Sequence, residues 1–206
     1  DLHSFPTRRS SDLRTSALDA VKLFLSDDTA EIGALTRQLI AYNNDRKETQ
    51  EKAYQTCLEH VNGDDLFILL KMDDIHEGIA GIVAGKIKDK FYRPVIIVTP
   101  SDDGRYKGTG RSIPGVDLYE VLNNSSELFI RFGGHKGACG FLMEEEHLET
   151  LKRSIERRAE DLFNREPGIF VSKTEYDMEL EPADISVELA KVRRSEERRV
   201  GKECRS

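Results

Sequence analysis

The sequence predicts an α/β fold: a mixed β-sheet with flanking helices, preceded by a long connecting helix and followed by the start of a β-rich domain. Three observations carry this reading. Two short and almost wholly apolar runs, residues 66–70 and 95–99, have the character of buried strands. Between them, residues 76–91 place Ile79, Ile82, Val83, Ile87 and Phe91 on one helical face. Further on, residues 144–163 repeat Leu148, Leu151, Ile155, Ala159 and Leu162 at amphipathic helical spacing.

Residues 16–25, with Leu18, Val21, Leu23 and Leu25, read as a short helix. Ser26-Asp27-Asp28 then offers N-cap chemistry for a long one, carried by Ile32, Leu35, Leu39 and Tyr42 and more weakly by Ala53, Cys57 and Val61. Its outer face is charged and glutamine-rich through residues 43–52, as in a helix that packs along a neighbour or links two domains. Asn62-Gly63-Asp64-Asp65 ends it. In the helix of residues 76–91, Gly78, Gly81 and Gly85 each cost up to about 1 kcal/mol, which points to close backbone packing or ligand approach. Pro94 stops that helix. Asp102-Asp103-Gly104 is a turn leading into a strand over 107–113, and Asp117 caps a short helix through Leu122. Ser125-Ser126-Glu127 opens another helix, expected to end at Phe132 before Gly133-Gly134. Residues 138–142 form a small-residue strand, and Pro167-Gly168 marks a boundary before a β-rich stretch over 169–191.

The two ends are set apart from this pattern. Residues 1–13 and 194–206 lack periodicity, and they back-translate into DNA strings that are reverse complements of each other and resemble a sequencing-library adapter. They are therefore read as translated adapter and excluded from fold reasoning. The remaining residues 14–193 hold 24 basic and 33 acidic side chains, a net charge of −9. That balance argues against polyanion binding by bulk attraction, but a few placed Arg, Lys and backbone N–H groups can hold phosphates on an acidic protein. No run reaches the roughly 18 apolar residues of a membrane helix, so no membrane partner is expected. Cys57, Cys139 and Cys204 show no paired spacing, which leaves a reducing, cytoplasmic setting as the default.

Three segments could carry binding chemistry. Asp74-Ile75-His76-Glu77-Gly78 lies where a strand passes into a helix, whose free N–H groups suit an anion; His76 as a plain helix cap fits equally well. Lys107-Gly108-Thr109-Gly110-Arg111-Ser112 alternates small and basic residues, either as a phosphate site or as an ordinary edge strand. In Arg131-Phe132-Gly133-Gly134-His135-Lys136-Gly137-Ala138, two glycines after a helix permit a tight turn that presents N–H groups beside His135 and Lys136. By local chemistry alone such a turn is weakly specific. No catalytic residue and no metal-ligand set is apparent: Asp73-Asp74 with His76 is the nearest approach to one, and Cys139 reads as a small buried residue.

In order, His76-Glu77-Gly78-Ile79-Ala80-Gly81-Ile82-Val83-Ala84, Arg93-Pro94, Gly108-Thr109-Gly110-Arg111-Ser112-Ile113 and Phe132-Gly133-Gly134-His135-Lys136-Gly137-Ala138 closely resemble the RecJ family, single-strand-specific exonucleases of the DHH phosphoesterase superfamily. The resemblance spans about residues 16–191. It implies the end of a DHH lobe and its connecting helix over 14–63, a DHH-associated substrate-binding domain over 64–165, and the start of an OB-type barrel over 166–193. It implies 5′-to-3′ hydrolysis of single-stranded DNA in repair and recombination by the intact protein. Catalytic manganese or magnesium would be held upstream, leaving this fragment inactive alone. By the same resemblance Gly133, Gly134 and His135 hold a substrate phosphate, Arg111 and Ser112 make a second phosphate contact, and His76 and Gly78 match the family's helix start. Lys136 joins this set as a neighbouring donor. Single-strand-binding protein and a helicase are the further partners implied. Ile75 stands where the family usually has Trp, and Cys139 where it usually has Ala; the first puts a stacking contribution in doubt. A different DHH phosphoesterase acting on short oligonucleotides or cyclic dinucleotides is the nearest alternative. A non-catalytic RNA-binding module and a purely structural domain are the others.

Overall fold

Val95, Ile96, Ile97 and Val98 are all completely buried, which an isolated amphipathic strand cannot achieve; both faces of this strand are covered. The computed structural model describes residues 10–173, 179–182 and 185–187, with side chains from Leu18 onward. Its order is α1 (Ser10–Leu25), α2 (Thr29–His60), β1 (Ile68–Lys71), α3 (Glu77–Phe91), β2 (Val95–Pro100), β3 (Tyr106–Arg111), α4 (Leu118–Asn123), β4 (Phe129–His135), β5 (Ala138–Met143) and α5 (Leu148–Arg165). Short 3-10 turns lie at Ser126–Leu128, Glu145–His147 and Pro167–Phe170.

The five strands run in the order β1-β2-β3-β5-β4. β1 and β2 are parallel and joined through α3; the other neighbours are antiparallel. Alternation along the strands sends Ile68, Leu70, Val95 and Ile97 to the α3 side, where they meet Ile79, Val83, Ile87 and Cys57 of α2. Ile96, Val98, Phe141 and Met143 face the other way, against Leu118 and Leu122 of α4 and Leu151, Ile155 and Ala159 of α5. The continuous apolar lettering of β2 follows from this double coverage.

α2 begins as its sequence predicts, with the Asp28 side chain accepting from the Ala30 N–H at 2.8 Å. Its 32 residues extend roughly 48 Å, yet only Leu35, Gln50, Ala53 and Cys57 are buried. Its C-terminal half lies against α3, where Glu51 pairs with Lys86 at 2.9 Å. α1 includes residues 10–13 of the stretch read as adapter. α3 ends one residue before Arg93-Pro94, with Tyr92 in the left-handed conformation. Arg93 then clamps the last 3-10 turn: its Nη1 donates to the Phe170 carbonyl at 2.8 Å, and its guanidinium lies 5.6 Å from the Phe170 ring.

Two expectations need correction. The helix expected to open at Ser125 and end at Phe132 is a single 3-10 turn followed by strand β4. Phe129 and Phe132, three apart, mimic helical spacing. A register irregularity between Phe129 and Arg131 brings both rings into one core instead, stacked at 5.4 Å. Gly133-Gly134 therefore lies within a strand, not in a turn after a helix. Second, Gly108 and Gly110 do not open the backbone to a ligand. They face the α4–α5 core, where a Cβ on Gly108 would sit 2.0 Å from the Phe141 ring and one on Gly110 would sit 2.7 Å from Leu118.

The chain divides at Val171 into two units. Among the described residues of 166–193 there is the turn Pro167–Phe170 and no strand; much of the β-rich stretch expected there, and the C-terminal stretch read as adapter, lie outside the described residues.

Candidate nucleic-acid interface

Strand pairing aligns Val95 with Arg111, Arg111 with Ala138, and Ala138 with His135. Paired residues share a face, so Arg111 and His135 point to the α3 side of the sheet from one cross-strand row. They stand two strand spacings apart, roughly 10 Å. α3 covers this side over β2 and β3, while Gly133 and Gly140 further along are exposed. A Cβ added to Gly133 would meet nothing within 4 Å. The result is a small-residue floor beside a helix wall, with cations at its rim.

β4 and β5 form a hairpin whose two loop residues are Lys136 and Gly137. The loop is tied down by the two carbonyls at its tip. Ser112 donates its N–H to the Gly137 oxygen at 2.9 Å, and Leu118 donates its own to the Lys136 oxygen at 3.0 Å. Gly134 has φ +146°, and a Cβ there would lie 2.3 Å from the Ala138 oxygen and 2.6 Å from the Cys139 Cα. Only glycine fits, because both obstacles are backbone.

These constraints fix His135. Its Nδ1 accepts the Gly137 N–H at 3.2 Å, so the neutral ring carries its proton on Nε2, a donor directed away from its own backbone. His76 repeats the device at the start of α3, accepting the Gly78 N–H on Nδ1 at 3.0 Å. The capping role of His76 is thus realised, and its Nε2–H remains a donor. Gly78 spends its N–H on this cap.

Arg111 gives one Nη1 hydrogen bond to the Gly110 carbonyl at 2.8 Å, and its Nη2 lies against Gly81 of α3. A Cβ on Gly81 would come within 2.8 Å of Arg111 Nη2. This explains one of the three glycines of α3: it admits the guanidinium. Gly81→Ala is therefore expected to leave the melting temperature unchanged or slightly raised, since alanine favours a helix by up to about 1 kcal/mol. It should also shift the Arg111 head and weaken anion binding several-fold, measured by titration with an oligonucleotide.

Ser112 is placed differently from the other candidates. It is 8 % exposed, and its hydroxyl donates to the Val116 carbonyl at 2.8 Å. Its only proton is committed, so what it supplies is the anchoring of the hairpin tip. Lys136 is exposed at that tip. Cys139 lies beneath, donating its thiol to the His135 carbonyl at 3.4 Å, and burial pushes its pKa up to about 11. It stays a neutral packing residue. The sequence reading missed Thr109 and Gly140 as floor residues; the two-residue alternation of 107–111, which puts Thr109 and Arg111 on one face and Gly108 and Gly110 on the other, was the available signal.

Charges around the sheet, on both faces and in its turns, are sorted by end. Lys107 pairs with Glu77, Lys71 with Glu145 and Arg105 with Glu144 at the end opposite the hairpin tip. Asp73, an early candidate for metal ligation, accepts a hydrogen bond from the Tyr106 hydroxyl at 3.2 Å. Among the described residues no group of three or more His, Cys, Asp or Glu could hold a metal ion. These residues do not fit a catalytic cation. Among the described helices none is long and apolar enough to cross a membrane.

Residues 64–161 match the DHHA1 domain family. The single-stranded-DNA-specific exonuclease RecJ of Escherichia coli is 30% identical over 185 residues, covering 84% of this chain and 32% of that protein. The protein of that name from Thermus thermophilus is 34% identical over 140 residues, covering 68% and 20%. Among solved structures, Thermus thermophilus RecJ in complex with Mg2+ superposes with a TM-score of 0.64 at 34% identity, covering 70% of this chain and 23% of that one. A structure of exonuclease RecJ bound to manganese gives a TM-score of 0.63 at 34% identity, covering 70% and 36%. The chain spans about a third or less of the length of these curated relatives.

Proposed function

The chain is RecJ-like and its residues 64–161 belong to the DHHA1 family, and from that premise we propose that it is the substrate-binding part of a 5′-to-3′ single-stranded-DNA exonuclease. The observation that carries this is the alignment of Arg111, at the edge of α3, and the exposed His135 in one row bordering the open part of the sheet. The guanidinium and the Nε2–H of His135 are donors suited to phosphate oxygens, and Lys136 adds a charge at the hairpin tip. Contacts of this kind hold the sugar–phosphate backbone without reading bases, as a nuclease acting along a strand requires. His76, at the α3 start on the same side, adds its Nε2–H, and Gly78 contributes by holding that ring through its N–H.

Hydrolysis belongs, in this proposal, to a divalent-metal centre on a part of the intact protein outside these residues, manganese and magnesium both being found in RecJ structures. The chain alone then binds single-stranded DNA weakly and does not cleave it. A place in DNA repair and recombination, beside single-strand-binding protein and a helicase in the cytoplasm, is part of the same proposal.

The test is binding of a labelled single-stranded oligonucleotide by the 206-residue chain at fixed low salt. Arg111→Ala is expected to weaken binding about tenfold, the scale of a charge-assisted hydrogen bond. His135→Ala should have a smaller effect, with both variants melting like the parent. Undiminished binding by both would favour a purely structural domain.

A further inference from the structure

Arg131 lies on the same strand and face as His135, four residues back, with Gly133 between them. Its Cα partner is Leu142, and the register from Arg131 to His135 is unbroken, so the alternation that orients His135 orients Arg131 too. Its side chain is exposed, and among the described residues it forms no hydrogen bond or ion pair. That distinguishes it from Lys71, Lys107 and Arg105 at this end of the sheet, each of which is paired with a carboxylate. An unpaired guanidinium on an acidic chain, on the face that carries Arg111 and His135, calls for an anionic partner.

Resting on the reading of that face as a single-strand site, we infer that Arg131 forms a second phosphate subsite on it. The strand runs over Gly133 and Gly140 from the Arg111–His135 row toward Arg131. The two positions are about 13 Å apart along β4, farther than adjacent phosphates of one strand can reach, so they take different phosphates. The exposed floor between them has no side chain to obstruct the path, since a Cβ at Gly133 would be in open space. Beyond Arg131 lie the acidic turns with Asp102, Asp103, Glu144, Glu145 and Glu146, which repel a polyanion. Arg131 is thus the last cation of the track and sets where the strand must leave the sheet.

The experiment compares 5′-phosphorylated oligothymidylates of two and of six nucleotides as competitors of a labelled single strand on the 206-residue chain. Arg131→Gln is expected to weaken the six-mer about fivefold and to leave the dimer unchanged. It should also lower the slope of log affinity against log salt for the six-mer by about 0.7, the loss of one phosphate contact on a single strand. Arg131→Lys should retain most of the six-mer affinity. A six-mer affinity and salt slope identical to the parent would overturn the second subsite while leaving the Arg111–His135 site standing. Equal weakening of dimer and six-mer would overturn it as well, by placing Arg131 at the first phosphate. Failure of Arg111→Ala to weaken the dimer would remove the site itself, and this inference with it.

Discussion

Gly134→Ala is expected to destabilise the domain by about 3 kcal/mol or more, the sum of a backbone conformation that L residues avoid and an overpacking clash. For a chain of this size that corresponds to a fall in melting temperature of roughly 10 °C. The side chain has no way out. A Cβ would face the Ala138 carbonyl oxygen and the Cys139 Cα across the hairpin, and both belong to the partner strand of the pairing that the residue itself helps to make. Relief requires opening the β4–β5 ladder near its tip, which also moves His135 away from the Gly137 N–H that orients its ring. Stability and DNA affinity should therefore fall together, in contrast to Gly81→Ala. Thermal unfolding followed by circular dichroism checks the first effect; a shift below about 2 °C would contradict the backbone geometry.

Gly108→Ala should cost about 2 kcal/mol by a different route. Here the obstacle is a side chain, the Phe141 ring, which lies directly over the Gly108 Cα. Phe141 cannot tilt away freely, because it is 5 % exposed and packs at 4.6 Å from Phe129 in the core shared with α5. Because the clash is with one side chain, the partner substitution tests the cause. Phe141→Leu makes room at a cost of its own, and the double variant should be more stable than the two single losses predict. Strict additivity would show that the ring over Gly108 is not what the alanine meets.

Much of this architecture was legible because its signals are local. The apolar run of β2, the cap at Asp28 and the helical face of Ile79, Val83 and Ile87 each depend on neighbours in the chain. β4 was not legible, since its two core phenylalanines are brought to one face by a register irregularity that no periodicity encodes. The binding segments were found by their residue types and order, but not their roles. Gly108 and Gly110 look like a phosphate loop until β3 is paired with its neighbours, when they prove to be sockets for Phe141 and Leu118. Ser112 looks like a ligand donor until its hydroxyl is found serving Val116. Whether a polar residue faces solvent or closes a loop depends on tertiary contacts far along the chain. Gly81 makes the same point, as its reason lies in the side chain of Arg111.

The claim that matters most is that the α3 side of β3, β5 and β4 is where single-stranded DNA lies. An amide chemical-shift map of the 206-residue chain, titrated with a single-stranded oligonucleotide, tests it most directly. The account predicts that the largest changes fall on Gly133, Gly134, His135, Lys136, Arg111 and Gly140, with weaker ones at Gly78 and Gly81. Changes confined to the exposed cations of α5, Lys152, Arg153 and Arg157, with the hairpin silent, would contradict it.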